Sequence, residues 1–521
     1  LLACSRASEW QLENKTKIML ATERLPQFFS AYDAAVGNLN STARETLERL
    51  KGALPQKDLD SDEALADILR GRLAVTGPTR SNELAQLLNL KVSRIESTLH
   101  RLMAEGFVLR GRYSPGMQED EWCERRLLAR IHRLTLQKLR AAVEPVSAGD
   151  FMRFLLRWHH LSGSHRLKGQ QALPIILSQL EGFEAPASSW ETDLIPARLE
   201  DYDPSWLDNL CLSGKTLWLR LSPPPSGKSP LKSSPLSFIP RPSLAIWSAM
   251  TNHSVQTLRG EGLSQQLIDL LHRRGALFFD ELVRYSGALA AQVESALQSL
   301  VARGRVVSDS FSGLRALIAP GHSRSRPRHV RYGFDQAGRW TLIHSDLEDD
   351  TLQGPVDEAS LEYLAGTLLR RYGIVFRSLL TRESAFPPWQ DLLRVYRRME
   401  ARGDVRGGRF VAAQYGEQFA LPEAVEMLRA QRDNEPTGEI ITLHAADPLN
   451  LSGIVFPGEK IPAQSGHRLL LRDGLLIGYL RGKTCHFTVP ISEGEAWQLK
   501  NRLLQGPRHF PKTEVARNSN P

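Results

Sequence analysis

The chain has 521 residues, 41% of them hydrophobic and 24% charged, so it can bury several packed cores and is no disordered polymer. Lys and Arg number 66 against 58 Asp and Glu, a net charge of +8, a modest excess that leaves any nucleic-acid surface to local basic patches. Cys4, Cys123, Cys211 and Cys485 lie far apart with no CxxC pair, and no apolar run reaches the roughly 18 residues of a membrane span, which argues against a disulfide framework, a structural zinc and a membrane partner and fits a reducing cytoplasm. At roughly 100–200 residues per domain, about three to five domains are expected.

The first residues, Leu1-Leu2-Ala3-Cys4, mimic a lipoprotein cleavage site without the basic region and apolar core that should precede one. With no initiator Met either, the sequence is expected to be a piece of a longer protein. Leu65-Ile68-Leu69, Leu73-Ala74-Val75 and Leu84-Leu87-Leu88 then predict helix, short strand and helix. They lead into Leu99 to Tyr113 (LHRLMAEGFVLRGRY), where a helix ends at Gly106 and a strand follows. The same order recurs at Leu267-Leu270-Leu271, Ala276-Leu277-Phe278 and Leu282-Val283, ending in Leu297 to Phe311 (LQSLVARGRVVSDSF) with Gly304. It recurs again at Leu361-Leu364-Leu368, Ile374-Val375-Phe376 and Leu379-Leu380, ending in Tyr396 to Phe410 (YRRMEARGDVRGGRF) with Gly403. The three stretches align without gaps, and the shared Gly suits the left-handed turn that closes a helix. Helix, short strand, helix, helix, hairpin is the order of a winged helix, and three aligned copies make the pattern specific.

Between the first two copies lie a helical, Arg-rich block (Trp122 to Glu181), a Trp-containing stretch (Trp190 to Leu221) and a Pro/Ser/Lys run (Ser222 to Pro235) that reads as a linker. From Glu439 to Phe487 short apolar runs (Ile440-Ile441, Ile454-Val455, Leu469 to Leu471, Leu475 to Tyr479) are broken by Gly and Pro, as in a small antiparallel barrel or sandwich. The expected fold class is therefore α+β: tandem winged helices with a helical insert and a C-terminal β-barrel. The expected boundaries are an N-terminal helical segment at 1–56, a winged helix at 57–115, and a helical Arg-rich segment at 116–188 that leaves room for a further winged-helix unit. A Pro/Ser-rich connecting region at 189–260, a winged helix at 261–320, a basic arm at 321–355, a winged helix at 356–432, the barrel at 433–505 and a tail at 506–521 complete the chain.

Ser213-Gly214-Lys215-Thr216 imitates the end of a phosphate-binding P-loop, but Asn209 stands where the motif needs its first Gly, and Leu217 to Leu221 alternates like a strand. A turn entering a strand is the expected structure. The arginines carry more. Six fall between Arg394 and Arg409 against only Glu400 and Asp404, and His322 to Arg331 holds four with no acid. Planar guanidinium forks suit phosphates, whereas a solvated helix face is the ordinary reading of one such run. Because the wings repeat the feature, DNA is the expected partner, single-stranded or duplex. The residues expected to contact it are Lys91, Arg94, Arg101, Arg110, Arg112, Arg303, Arg305, Arg326, Arg328, Arg394, Arg398, Arg406 and Arg409. Nothing in the helices spells a base code, so recognition by shape and phosphate is expected.

Several strings resemble the large helicase-related protein family. They are Glu121 to Arg133 (EWCERRLLARIHR), Pro145-Val146-Ser147 with Phe151 to Trp158, Leu180 to Pro186, Arg371 to Arg377, Pro387-Pro388-Trp389, Gly416 to Pro422 and Ala446 to Leu451. The likeness runs from about residue 17 to about residue 480 and concerns the C-terminal half of that family. The family's helicase motor, with its Walker motifs and DExH box, would precede Leu1. The resemblance implies tandem winged helices plus a β-barrel, self-association as a tetramer, a partner motor, a place at the bacterial nucleoid in the cytoplasm, and a kinship with winged-helix glycosylases that unhook DNA crosslinks. It also implies uracil removal.

A glycosylase needs a carboxylate near a flipped nucleotide, to stabilise the cationic sugar or activate water. Asp447, in an apolar run before Pro448, is the best candidate, against the plain alternative of a turn residue capping its own backbone. Crosslink glycosylases use two glutamines flanking an apolar residue, and Gln170-Gln171 lacks that spacer. His159-His160 has no carboxylate or Cys at ligand spacing, so neither metal nor cofactor is expected. Two functions stay open: a DNA glycosylase, or a non-catalytic module that holds DNA and self-associates for the motor.

Overall fold

The computed structural model describes residues 7–11, 17–21, 24–32, 60–141, 144–163, 165–223, 230–250, 262–318, 338–343 and 357–505. They fall into two compact units, Leu1–Leu139 and Arg140–Pro521. The first opens on an antiparallel hairpin of Ala7–Gln11 and Lys17–Ala21, so the segment expected to be helical begins with strands before its helix Leu25–Ala31. Helices Ser61–Leu73, Ser81–Leu88 and Val92–Ala104 follow, their apolar positions (Leu65, Leu69, Leu84, Ile95, Leu99, Leu102) closing one core. The wing pairs Val108–Gly111 with Glu121–Glu124, beyond the boundary expected at residue 115. Trp122 is the reason: this return strand inserts its indole into the core, donates Nε1–H to Ser81 Oγ (3.0 Å) and bridges Thr79 on its other side.

In the second unit three small sheets share one order, the first strand pairing with the third and the third with the second. Two belong to expected winged helices: Leu277–Phe278, Arg339–Leu342, Val306–Ser308, and Ile374–Val375, Gln418–Ala420, Arg406–Gly408. In the former the return strand Arg339–Leu342 lies inside the expected basic arm. Helix Phe311–Ile318 intervenes and docks on helix Pro204–Leu212, with Arg315 bonded to Glu191 (2.6 Å) and Asp208 (2.5 Å). The third sheet, Ala185–Pro186, Pro235–Pro240 and Thr216–Leu219, is a winged helix that the gapless alignment did not separate. Its helices are Leu173–Gln179, Ile195–Arg198 and Pro204–Leu212. Two expectations change with it. Strands Thr216–Leu219 and Pro235–Pro240, on either side of the run read as an interdomain linker, pair with one another inside this winged helix. The Ser213-Gly214-Lys215-Thr216 string is that copy's helix-to-strand turn, with Gly214 at φ +72° beside +75° for Gly106, +69° for Gly304 and +87° for Gly403.

The C-terminal strands Ile440–His444, Arg468–Arg472, Leu475–Arg481 and Thr484–Phe487 pair in sequence order as an antiparallel meander. This sheet is open: no closed barrel forms among the described residues, contrary to the expectation for 433–505. Ile454-Val455, which reads as a strand, lies instead in an irregular loop between the first two strands. Buried Asn450 holds that loop, donating from Nδ2 to the carbonyls of Ala445 and Ile461 (both 2.8 Å). Asp473-Gly474 makes the two-residue hairpin, both with positive φ, as such a turn requires. Alternation then divides the sheet: Leu469 and Leu471 join the main core, while Leu470, Ile477 and Leu480 meet Leu499 and Leu503 of helix Glu493–Gln505.

Candidate nucleic-acid interface

The expected phosphate-binding residues separate by whether an acid already neutralises them. On the first recognition helix Arg94 bonds Ser61 Oγ at 2.6 Å, and Arg101 reaches the Asp62 carbonyl at 2.9 Å and Glu63 at 3.3 Å. Arg110 pairs with Asp120 at 2.7 Å. On the helix Trp389–Arg402, Arg394 pairs with Asp391 and Arg398 with Glu358. Arg305 is half-buried, and burial lowers its pKa. Lys91, Arg112, Arg303, Arg406 and Arg409 are exposed with no ion-pair partner among the described residues. Arg326 and Arg328 lie outside the described residues. Apart from Lys91, the unpaired cations sit on wings or at the turn entering one, where a backbone phosphate could reach them.

The wing between Arg406–Gly408 and Gln418–Ala420 is braced from within. Buried Gln418 accepts from the amides of Phe410 and Val411 (both 2.9 Å) and donates to the Val411 carbonyl (3.0 Å). Gln414 ties the tip down, accepting from Ser378 Oγ (2.7 Å) and donating to the Ile454 carbonyl (3.0 Å). Ala413 takes a left-handed φ of 59° there, a conformation that costs a residue with a Cβ and that the brace maintains. Next to it stands Tyr415, 93% exposed, on a wing that also carries Arg409. An exposed aromatic ring on a wing that also carries an exposed guanidinium suits stacking on an unpaired base. Tyr415 escaped the sequence reading because no periodicity marks a loop tip, although an aromatic between Arg409 and Gly416 was a usable signal.

Asp447 lies in a different setting. It is 1% exposed and forms a bidentate pair with buried Arg198 (Oδ2 to Nη1 2.7 Å, Oδ1 to Nη2 3.0 Å), and its Oδ1 also accepts the Leu449 amide at 3.0 Å. Arg198 further donates to His159 Nδ1 (3.2 Å), and His159 Nε2 lies 2.7 Å from the Arg371 carbonyl. Arg371 pairs with Glu383 and donates to the Glu181 carbonyl, and Glu181 accepts from Trp247, Tyr363 and Arg370 at 2.9, 2.7 and 3.1 Å. His159, Glu181, Arg371 and Asp447 thus meet in one buried polar network joining two winged helices to the C-terminal sheet. Three of them fall within the strings that carry the family likeness, and His159 directly follows a fourth.

Comparison with known proteins places these elements. The family model for the large helicase-related protein winged-helix domain matches twice, a third-domain version at residues 146–241 and a fourth-domain version at 355–440. The first match crosses the boundary expected at residue 188. Among curated proteins, the chain is 28% identical over 458 residues to "Lhr helicase/ probable uracil glycosylase" of Mycolicibacterium smegmatis, covering 81% of the chain and 29% of that protein. It is 28% identical over 510 residues to "Lhr helicase/uracil glycosylase" of Escherichia coli, covering 88% and 31%. The chain therefore spans about three-tenths of the length of these relatives. Among solved structures, the Streptomyces sahachiroi DNA glycosylase AlkZ superposes with a TM-score of 0.41 at 13% identity, over 69% of this chain and 96% of that one.

Proposed function

The chain carries two winged-helix domains of the large helicase-related protein family and corresponds to a C-terminal module of that family, and on this premise we propose that it binds DNA in the service of repair. One observation carries the reading: of the arginines expected to contact DNA, those exposed without an ion-pair partner among the described residues, Arg112, Arg303, Arg406 and Arg409, lie on wings or at the turn entering one, while Arg101, Arg394 and Arg398 of the recognition helices are paired with acids. A paired guanidinium must give up its carboxylate to take a phosphate, so the wings are the grip. Binding is then dominated by counter-ion release, and log K falls linearly with log salt. Arg406→Ala with Arg409→Ala should flatten that slope by about two ions on duplex DNA, read by fluorescence anisotropy across a salt series. Arg394→Ala should leave it nearly unchanged. The opposite pattern would move the interface to the recognition helix.

A second reading adds chemistry. Both curated relatives are named for uracil glycosylase as well as helicase, which favours base excision over passive DNA holding. Release of uracil from a single-stranded oligonucleotide, scored by alkaline cleavage at the abasic site, tests it. Without release, the module holds DNA and self-associates for a motor. In either case the proposed assembly is a tetramer.

A further inference from the structure

A cleft of about 320 Å³ opens between the winged helix at 146–241 and the C-terminal sheet, lined among others by Thr192, Asp193, Lys232, His444, Ser465 and Arg468. Its size falls within the range of about 300–1,000 Å³ typical of small-ligand sites. Resting on the base-excision reading, we infer that this cleft receives the flipped nucleotide and that Asp193, not Asp447, is the carboxylate facing the sugar.

Asp193 lies on a π-helical turn, Trp190–Leu194, entering helix Ile195–Arg198. Such turns are rare and concentrate at functional sites, where the extra residue re-aims a side chain. Its Oδ2 accepts from Thr192 Oγ1 at 2.6 Å and faces His444 Nε2 at 3.8 Å, while Oδ1 has no hydrogen-bond partner among the described residues. The His444 Nδ1 accepts the Ala446 amide at 3.1 Å, so the proton of the neutral ring sits on Nε2, toward Asp193. The Asp193 side chain is 12% exposed and that of His444 4%: recessed, yet open to the cleft. Asp447 offers no comparable face, because both of its oxygens are bonded to Arg198. Lys232 is exposed at the rim, between the paired strands of the same winged helix, and suits the phosphate beside an extruded nucleotide. Arg468 is fixed across the cleft by two bonds of 2.9 Å to the Leu503 and Leu504 carbonyls.

In this site the C1′–N bond breaks with its electron pair leaving on the base. The hydroxyl of a water adds to C1′, and Asp193 takes that water's other proton, which ends on the base nitrogen. The ionised carboxylate also stabilises the positive charge that grows on the sugar before water adds.

The test compares wild type, Asp193→Asn and Ser465→Trp on single-stranded DNA containing uracil. Ser465 is exposed at the mouth, so the indole blocks the cleft without disturbing the carboxylate or the core. Asp193→Asn should slow release by roughly 30- to 1000-fold, the loss expected for one transition-state electrostatic group. Ser465→Trp should abolish release at an unchanged melting temperature, with DNA affinity within about threefold of wild type in both variants. A wild type that releases uracil while both variants keep its rate overturns the cleft alone. A wild type that releases none overturns the base-excision reading and the cleft with it.

Discussion

Arg198 and Asp447 each bring a full charge into the interior, and neither has water to fall back on. Truncating one partner of such a pair commonly costs about 3–5 kcal/mol, because the other is stranded. Asp447→Asn keeps the Leu449 amide bond but leaves Arg198 uncompensated, so it should destabilise the module by roughly that amount in urea unfolding. A turn carboxylate of the kind the sequence suggests would tolerate Asn. His159, against Arg198, adds a pH dependence. Burial first and the Arg198 charge second hold its pKa well below the usual 6.5. The unfolded chain takes a proton near that value and the folded chain does not, so stability is complete above about 6.5 and falls as pH drops below it, by up to about 1.4 kcal/mol per unit. Burial lowers His160 and His444 too, which steepens the slope in the same direction. The melting temperature should therefore fall from pH 7 to pH 5, and less steeply in His159→Gln. A midpoint flat across that interval would refute the neutral-histidine network.

Wings are the elements that vary most. Each copy ends the preceding helix with a glycine in the left-handed region, yet the first wing and that of the 355–440 domain carry different groups. The first pairs Arg110 with Asp120 while Arg112 stays free; the wing of the 355–440 domain offers Arg406 and Arg409, with Tyr415 at its crest. Base–aromatic stacking is worth about 1–3 kcal/mol. Tyr415→Ala should thus weaken single-strand binding by roughly 5- to 150-fold with little change in the salt slope, and Tyr415→Trp should restore it. Equal losses on single strand and duplex would place Tyr415 against the backbone instead. The charge and stacking contributions are separable for this reason: one responds to salt and the other does not.

At the scale of the molecule, the buried network of His159, Glu181, Arg371 and Asp447 ties the winged helices at 146–241 and 355–440 to the C-terminal sheet. The cleft holding Asp193 and His444 lies between the same winged helix and sheet that this network joins. Self-association is the remaining whole-molecule expectation, since symmetric closure is the common way to bury surface left free by one chain. Light scattering at micromolar concentration should give about four times the 58.4 kDa chain mass. A monomer would remove the tetramer from the proposal without touching the DNA reading.

The sequence by itself determined what is local and periodic: the helix–glycine–strand repeats, the Asp473-Gly474 hairpin and the arginines clustered around the wings. Such features follow from residue spacing and from the backbone angles a few residues can adopt. The further winged helix, for which 116–188 leaves room, has a local mark of its own beyond that boundary, since Leu207 to Gly214 sets a glycine eight positions along, as in the other copies. Only tertiary structure decided which charges are spent. Arg398 finds Glu358, Asp447 finds Arg198, and Asp193 meets His444, pairs that no local pattern links because a Coulomb interaction depends on separation in space and on the water excluded around it. The same limit explains the open sheet. Gly and Pro spacing announces short strands, but whether the sheet closes depends on contacts distant in sequence: here helix Glu493–Gln505 packs on one face through Leu499 and Leu503, and the sheet stays open among the described residues.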